Sequence, residues 1–362
     1  MNNICKLYYQ SAIDLGLHPV EKLKEIDGFV ITLGKNNYYF RGGLTPFNVI
    51  SSSSIGTNKY STNKILQEAG IPVPDVTGIT YKEYQNGNWS LKDIKFPVVA
   101  KPAWDTACGF NVLCNIQDRG SLIKYIDKYL KHIRCVSIEE YQAGLRSYRV
   151  LIFCGEVIGI VERIPAHVVG DGSSTIRALI KIKNKIRQDL KKTIPTGPIT
   201  LNEETWSIFR ELNLTVNSIP KAGEVVPLRY ICNSTYGGSF ISLETNVICE
   251  ENARLASRAA QALDLGLVGF DVICEDISIP IEASRGFFIE ANVDPDITIH
   301  ESSMDGVPNR VSKIILKRLI FKHPFLYLLK QIEYYKYLSL ALRLSGVIAV
   351  FGIFLLGIQY YT

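Results

Sequence analysis

The chain has 362 residues, more than one ordinary hydrophobic core accommodates, so two or three packed lobes are expected. With 47% hydrophobic and 21% charged residues, disorder is excluded for most of the length. Forty basic against thirty-five acidic residues leave a formal charge of +5, and no lysine- or arginine-rich run is interleaved with aromatics, which argues against a nucleic-acid partner.

The eight cysteines (Cys5, Cys108, Cys114, Cys135, Cys154, Cys232, Cys249 and Cys274) form no C-x-x-C pair and sit mostly in apolar surroundings. That is the pattern of reduced core thiols in a cytoplasmic protein. The first residues, MNNICKLYYQSAIDLG, lack the basic and apolar regions of a secretory signal.

In chain order, Asn3 to Gly16 has amphipathic helical spacing, and β-rich runs at Gly28–Leu33 and Tyr38–Arg41 flank a turn. A helix is expected at Asn58–Ala69, closed by Gly70 and blocked by Pro72 and Pro74. From Val76 to Glu162, β-rich runs (Val76–Tyr81, Pro97–Lys101, Asn111–Asn115, Val136–Tyr141, Tyr148–Phe153, Val157–Glu162) surround one helix, Ser121–Lys131, which reads as an α+β lobe. Further helices are expected at Thr175–Lys191 and Glu250–Leu265, with a polar insertion at Thr193–Ser218 between them. Two apolar runs, Leu267–Cys274 and Gly286–Ala291, read as central strands. Gln331–Arg343 again has the spacing of an amphipathic helix. The expected domains are an α/β segment at 1–55, a body at 56–323 with lobes at about 72–165 and 166–323, and a helical tail at 324–362.

The two apolar strands carry oxygen ligands: Asp271 on the first, Glu290 and Asn292 at the end of the second. Magnesium takes hard oxygens from one or two carboxylates and from phosphate, so the three residues form a candidate metal site. Either carboxylate alone would more often be a cap or salt-bridge partner. Lys101 ends an apolar strand and needs an anion, either a phosphate or a structural carboxylate. Arg149 and Arg229 sit on expected strands where bidentate contacts to phosphate or carboxylate are natural. The loop after Arg229 (Asn233, Gly237, Gly238, Ser239) can bring backbone N–H groups close to an anion, although paired glycines also mark ordinary turns.

Taken in order, these segments resemble the ATP-grasp superfamily, and within it the ATP-grasp region of cyanophycin synthetases and related glutathione-synthesising fusion enzymes. The longest stretch of likeness is Glu162 to Ile176, ERIPAHVVGDGSSTI, and the resemblance covers about residues 55–320. It implies an α+β fold of two lobes enclosing ATP, and an ATP-dependent carboxylate–amine ligase that forms an amide through an acyl-phosphate. Lys59 and Lys101 would contact the nucleotide, with the adenine against Glu139, Glu140, Tyr141 and Gln142. Asp271, Glu290 and Asn292 would hold two magnesium ions. Arg229 and the Asn233–Ser239 loop would neutralise the acyl-phosphate, with Arg149 at the mouth. The substrates would be a small carboxylate and an amine, such as amino acids or a peptide.

Three departures stand out. The phosphate-covering loop, Ala103–Phe110, has a single glycine; Ser147 replaces an acidic residue that holds the ribose in relatives; and Val293–Asp296 adds two carboxylates that would either favour a cationic amine or disfavour an acidic one. They keep a second reading open, a catalytically weak ATP-binding scaffold or sensor attached to a membrane. Leu344–Ile358 carries no charge, and as a helix Leu344–Tyr361 would extend about 27 Å. The basic residues lie on its N-terminal side, so the expectation is a cytoplasmic body anchored by this tail, the alternative being docking on its own lobe or on a second copy.

Overall fold

The computed structural model describes residues 1–104, 111–191, 194, 196–302, 304–335, 340–341, 343–350 and 352–353. Of the covering loop only Ala103 and Trp104 are included; Cys108 lies outside the described residues, as does part of Leu344–Tyr361. The chain opens with α1 (Asn3–Asp14), β1 (Val20–Leu23), β2 (Gly28–Leu33) and β3 (Asn36–Arg41). Next come α2 (Ile50–Gly56), α3 (Lys59–Glu68), β4 (Val76–Thr80), α4 (Tyr81–Gln85), β5 (Val98–Pro102), β6 (Leu113–Ile116), α5 (Arg119–Tyr129) and β7 (Cys135–Glu140). They are followed by β8 (Arg146–Phe153), β9 (Glu156–Ile164), β10 (His167–Val169), α6 (Ile176–Leu190), α7 (Glu203–Glu211), β11 (Val225–Pro227) and β12 (Ser239–Leu243). The remainder is α8 (Glu250–Ala262), β13 (Leu267–Cys274), β14 (Gly286–Asn292), α9 (Thr298–Glu301), α10 (Val311–Lys322) and α11 (Pro324–Tyr334). The described cysteines are free thiols, and among them Cys154 departs from the expected core placement by being exposed.

Two compact units result, Met1–Gly42 with Ser312–Thr362, and Gly43–Val311. The division falls near residues 42 and 311, where sequence patterning placed boundaries near 55 and 323, because the two ends of the chain bond to each other. Ser11 and Ser312 share a buried 2.6 Å hydrogen bond, and Lys313 pairs with Asp14 at 2.9 Å. Within this unit β1, β2 and β3 form an antiparallel sheet, and the Phe29 and Phe40 rings stack at 4.9 Å.

The larger unit is built on two antiparallel sheets, β12-β9-β8-β13-β14 and β4-β7-β5-β6. Strand β13 lies between β8 and β14 and is covered by α8, whose Leu255, Ala256 and Ala259 pack with Val150, Val268 and Phe270. Such burial explains its nearly unbroken apolar sequence. In the second sheet, Leu122 and Ile126 of α5 close over Val98, Ala100, Val136 and Ile138. Sequence alternation grouped Tyr148–Glu162 with the preceding strands, yet β8 pairs with β13 along its whole length and so belongs to the five-stranded sheet. A further expectation fails at Thr193–Ser218, where α7 forms behind an Asn202–Thr205 capping box and buries Ile208 and Phe209. Of the helix expected at Gln331–Arg343, residues 331–334 belong to α11, which already starts at Pro324, a first-turn position where proline costs no hydrogen bond, while 336–339 and 342 lie outside the described residues.

Candidate active site

The five-stranded sheet sets the chemistry through register. Asp271 on β13 lies opposite Glu290 on one side and Arg149 on the other, while Gly269 lies opposite Asn292. Arg149 donates its Nε proton to Asp271, and Arg163, from β9, donates to the second carboxylate oxygen at 2.8 Å. Burial alone would favour the neutral acid, but these guanidiniums outweigh it and hold the Asp271 carboxyl below the usual range. Gly269 makes the crossing possible: a Cβ there would stand 2.9 Å from Arg149 Cδ.

From the four-stranded sheet, Lys101 brings its ammonium to Glu139 at 2.7 Å and to the Ile289 carbonyl of β14 at 3.4 Å. Burial would discharge it, yet Glu139 and Glu290 keep its pKa above the ordinary lysine value. Lys59, in the first turn of α3, pairs with Glu290 at 3.0 Å, and its backbone N–H donates to the Ala103 carbonyl at 2.9 Å. Four cations (Lys59, Lys101, Arg149, Arg163) thus meet three carboxylates (Glu139, Asp271, Glu290) in one continuous cluster. Asp294 and Asp296, further carboxylates close enough to act on Arg149, add to the negative side of this cluster.

Other expected residues sit around this cluster. Glu140 is exposed at the end of β7; Tyr141 donates its N–H to the Pro97 carbonyl at 3.0 Å and packs edge-on against Tyr230 at 5.9 Å; Gln142 follows in the connection to β8. Ser147 is buried and accepts a 3.1 Å hydrogen bond from Arg163. Asn292 donates to the Gly269 carbonyl at 3.2 Å.

Arg229 belongs to a second group. It is held by Glu204 at 3.2 Å and by the Thr200 carbonyl and hydroxyl, both at 3.2 Å, with its guanidinium 5.5 Å from the centre of the Tyr236 ring. Its Nε is buried without a hydrogen-bond partner among the described residues. These residues line a 540 Å³ cavity whose opposite wall is α5, with Lys124, Tyr125, Lys128 and Tyr129. Behind it, the 3-10 turn Ser234–Tyr236 is capped by Asn233 and ends at Gly237, whose φ of 96° admits little but glycine. Arg187 of α6, itself buried, ties this loop down by donating to the carbonyls of Gly197 at 2.7 Å, Ser234 at 2.9 Å and Gly238 at 3.0 Å.

Three residues of weight escaped the sequence reading: Arg163, Glu204 and Arg187. Arg163 lies inside the longest stretch of likeness, where its strand alternation with Val161 was the available signal. Glu204 sits in the stretch taken for a polar insertion, and Arg187 among many lysines on α6.

Comparison with known proteins adds the following. No family model matches the chain. Cyanophycin synthetase of Synechocystis sp. is 32% identical over 291 residues, 79% of this chain and 33% of that protein. The glutathione biosynthesis bifunctional protein GshAB of Pasteurella multocida is 28% identical over 314 residues, 85% of this chain and 41% of that protein. The crystal structure of a bifunctional glutathione synthetase from Pasteurella multocida superposes with a TM-score of 0.61 at 24% identity, covering 89% of this chain and 44% of that one. The chain carries the ATP-grasp fold. It spans about a third to two-fifths of the length of these curated relatives. The expected α+β ATP-grasp architecture therefore stands, and within it the two sheets of the larger unit contribute side chains to one charged cluster.

Proposed function

We propose that this ATP-grasp chain is an ATP-dependent carbon–nitrogen ligase, activating the carboxylate of an amino acid or small peptide and joining it to an amine. The observation that carries the reading is the Lys59–Lys101–Arg149–Arg163 cluster, drawn from helix α3 and both sheets and interleaved with Asp271 and Glu290. Its charges suit phosphoryl transfer, where fixed cations stabilise the phosphate oxygens and no side-chain nucleophile is required.

Lys101 and Lys59 would take the phosphates, exchanging carboxylate partners for phosphate oxygens. Glu139, Glu140, Tyr141 and Gln142 would border the base, and Ser147 would lie beside the ribose. Asp271, Glu290 and Asn292 offer the hard oxygen set that magnesium prefers, with the remaining ligands left to phosphate and water. Both Asp271 oxygens are engaged by guanidiniums, so a metal ion would reach them only once Arg149 and Arg163 turned to phosphate. Bound magnesium would supply charge neutralisation of the transferring phosphoryl group. Arg229 and the Asn233–Gly238 loop with Ser239 would hold the acyl-phosphate at the mouth of the 540 Å³ cavity, a volume within the ordinary range for small ligands. Among the described residues no helix is long and apolar enough to cross a membrane.

The test is ADP release from the full chain with magnesium, ATP and pooled amino acids. Release that needs both a carboxylate and an amine supports the ligase. Tight ATP binding without turnover of any pool favours the scaffold reading.

A further inference from the structure

Helix α11 is oriented opposite to the usual surface helix. At about 100° per residue, Phe325, Leu328, Leu329 and Ile332 form one stripe, and Leu326, Tyr327, Lys330, Gln331 and Tyr334 form another roughly 180° away. The second, more polar stripe faces the N-terminal segment of the same unit. Tyr327 Oη donates to the Leu15 carbonyl at 2.9 Å, Lys330 Nζ to the Leu17 and Thr32 carbonyls at 2.7 Å each, and Gln331 Nε2 to the Gly16 carbonyl at 2.6 Å. The apolar stripe is left outside: Phe325 is 79% exposed, Leu328 55% and Leu329 56%.

Helix α10, which precedes α11, also leaves an apolar side chain outside. Its Ile315, Leu316 and Leu319 are buried, while Phe321 is 75% exposed beside the exposed Lys317, Arg318 and Lys322. Glu333 is the only acid between Val311 and Tyr334. Beyond it, the described residues of the charge-free segment, among them Leu344, Val347, Ile348, Val350 and Ile353, are exposed as well. Water does not favour so long a run of apolar surface, and the flanking cations specify the sign of its partner.

We infer that the outward face of α10 and α11 (Phe321, Phe325, Leu328 and Leu329, with Lys317, Arg318 and Lys322) docks on an anionic lipid surface. The aromatic and leucine side chains enter the headgroup boundary, and the three cations meet lipid phosphates. The inward hydrogen bonds of Tyr327, Lys330 and Gln331 hold the apolar stripe outward before any membrane is met. The inference goes beyond the ligase reading and does not depend on it.

The experiment is co-sedimentation of the full chain with sucrose-loaded phosphatidylcholine vesicles, with and without phosphatidylglycerol, at low and high salt. Sedimentation with the anionic vesicles, weakened by salt, is expected. Phe325→Ser/Leu328→Ser/Leu329→Ser should weaken partitioning about tenfold or more, and Lys317→Glu/Arg318→Glu should remove the preference for phosphatidylglycerol. A Val347→Asp/Ile348→Asp chain should retain that preference. Wild-type chain left in the supernatant, helix-face variants that bind like wild type, or a concentration-dependent dimer that those variants dissociate without any vesicle binding would each overturn the inference. The charge variant, altering only exposed side chains, keeps the test valid should the apolar variant fail to fold.

Discussion

Replacing Asp271 by Asn keeps the shape of a buried side chain and removes its charge. Two guanidiniums then lose their carboxylate: Arg149, itself buried, and Arg163, which donates at 2.8 Å. Breaking a buried ion pair from one side costs about 3–5 kcal/mol, because the remaining charge stays desolvated. For a unit of this size each kcal/mol moves the melting temperature by about 2–4 °C, so a drop of roughly 10 °C at neutral pH is expected. The dependence on pH has a definite sign. The folded pKa of Asp271 lies below its unfolded value of about 3.9, so its stabilisation is complete above that pH and is lost as pH falls through the folded value. Scanning calorimetry of wild type and Asp271→Asn from pH 7 downward should show a gap that is constant to about pH 4 and then narrows. A gap under about 2 °C at neutral pH would refute the assignment of Asp271 as the carboxylate that neutralises both arginines.

Lys101→Met should weaken magnesium–ATP binding about tenfold or more by titration calorimetry, and unchanged affinity would remove Lys101 from the phosphate role. Gly237→Ala should destabilise more than Gly87→Ala: both glycines have positive φ, but a Cβ at Gly237 meets Ile199 Cγ1 at 2.6 Å and one at Gly87 meets nothing within 4 Å. Urea unfolding of the two variants compares them directly. Burial, with a smaller contribution from Arg149, lowers His300 to about 3, so the unfolded chain binds its proton first and stability falls as pH drops from about 6.5 toward that value. His300→Phe should reduce the pH dependence of urea unfolding between about pH 6.5 and 5.5, and an unchanged slope would show that His300 is not held neutral.

The carboxylates of the charged cluster were legible because β13 and β14 are apolar enough that Asp271 and Glu290 stand out against their neighbours. Lys101 was legible for the same reason. What remained hidden depends on partners far away in sequence. Arg163 gains its meaning only when register brings β9 within reach of Asp271, two strands over, and Glu204 only when α7 lies over Arg229 and the backbone N–H of Tyr230. The sheet assignment of Tyr148–Glu162 was missed because alternation reports which face is buried and not which strand lies alongside. The orientation of α11 was hidden as well, because periodicity locates an amphipathic helix without saying which side the protein keeps.

The most direct test of the ligase reading follows oxygen. Full chain is incubated with magnesium, ATP and pooled amino acids labelled with oxygen-18 in their carboxylates, and the released phosphate is examined by phosphorus NMR. Transfer of one labelled oxygen to each phosphate is expected, since the amine displaces an acyl-phosphate whose bridging oxygen came from the carboxylate. Release of ADP with unlabelled phosphate would contradict it.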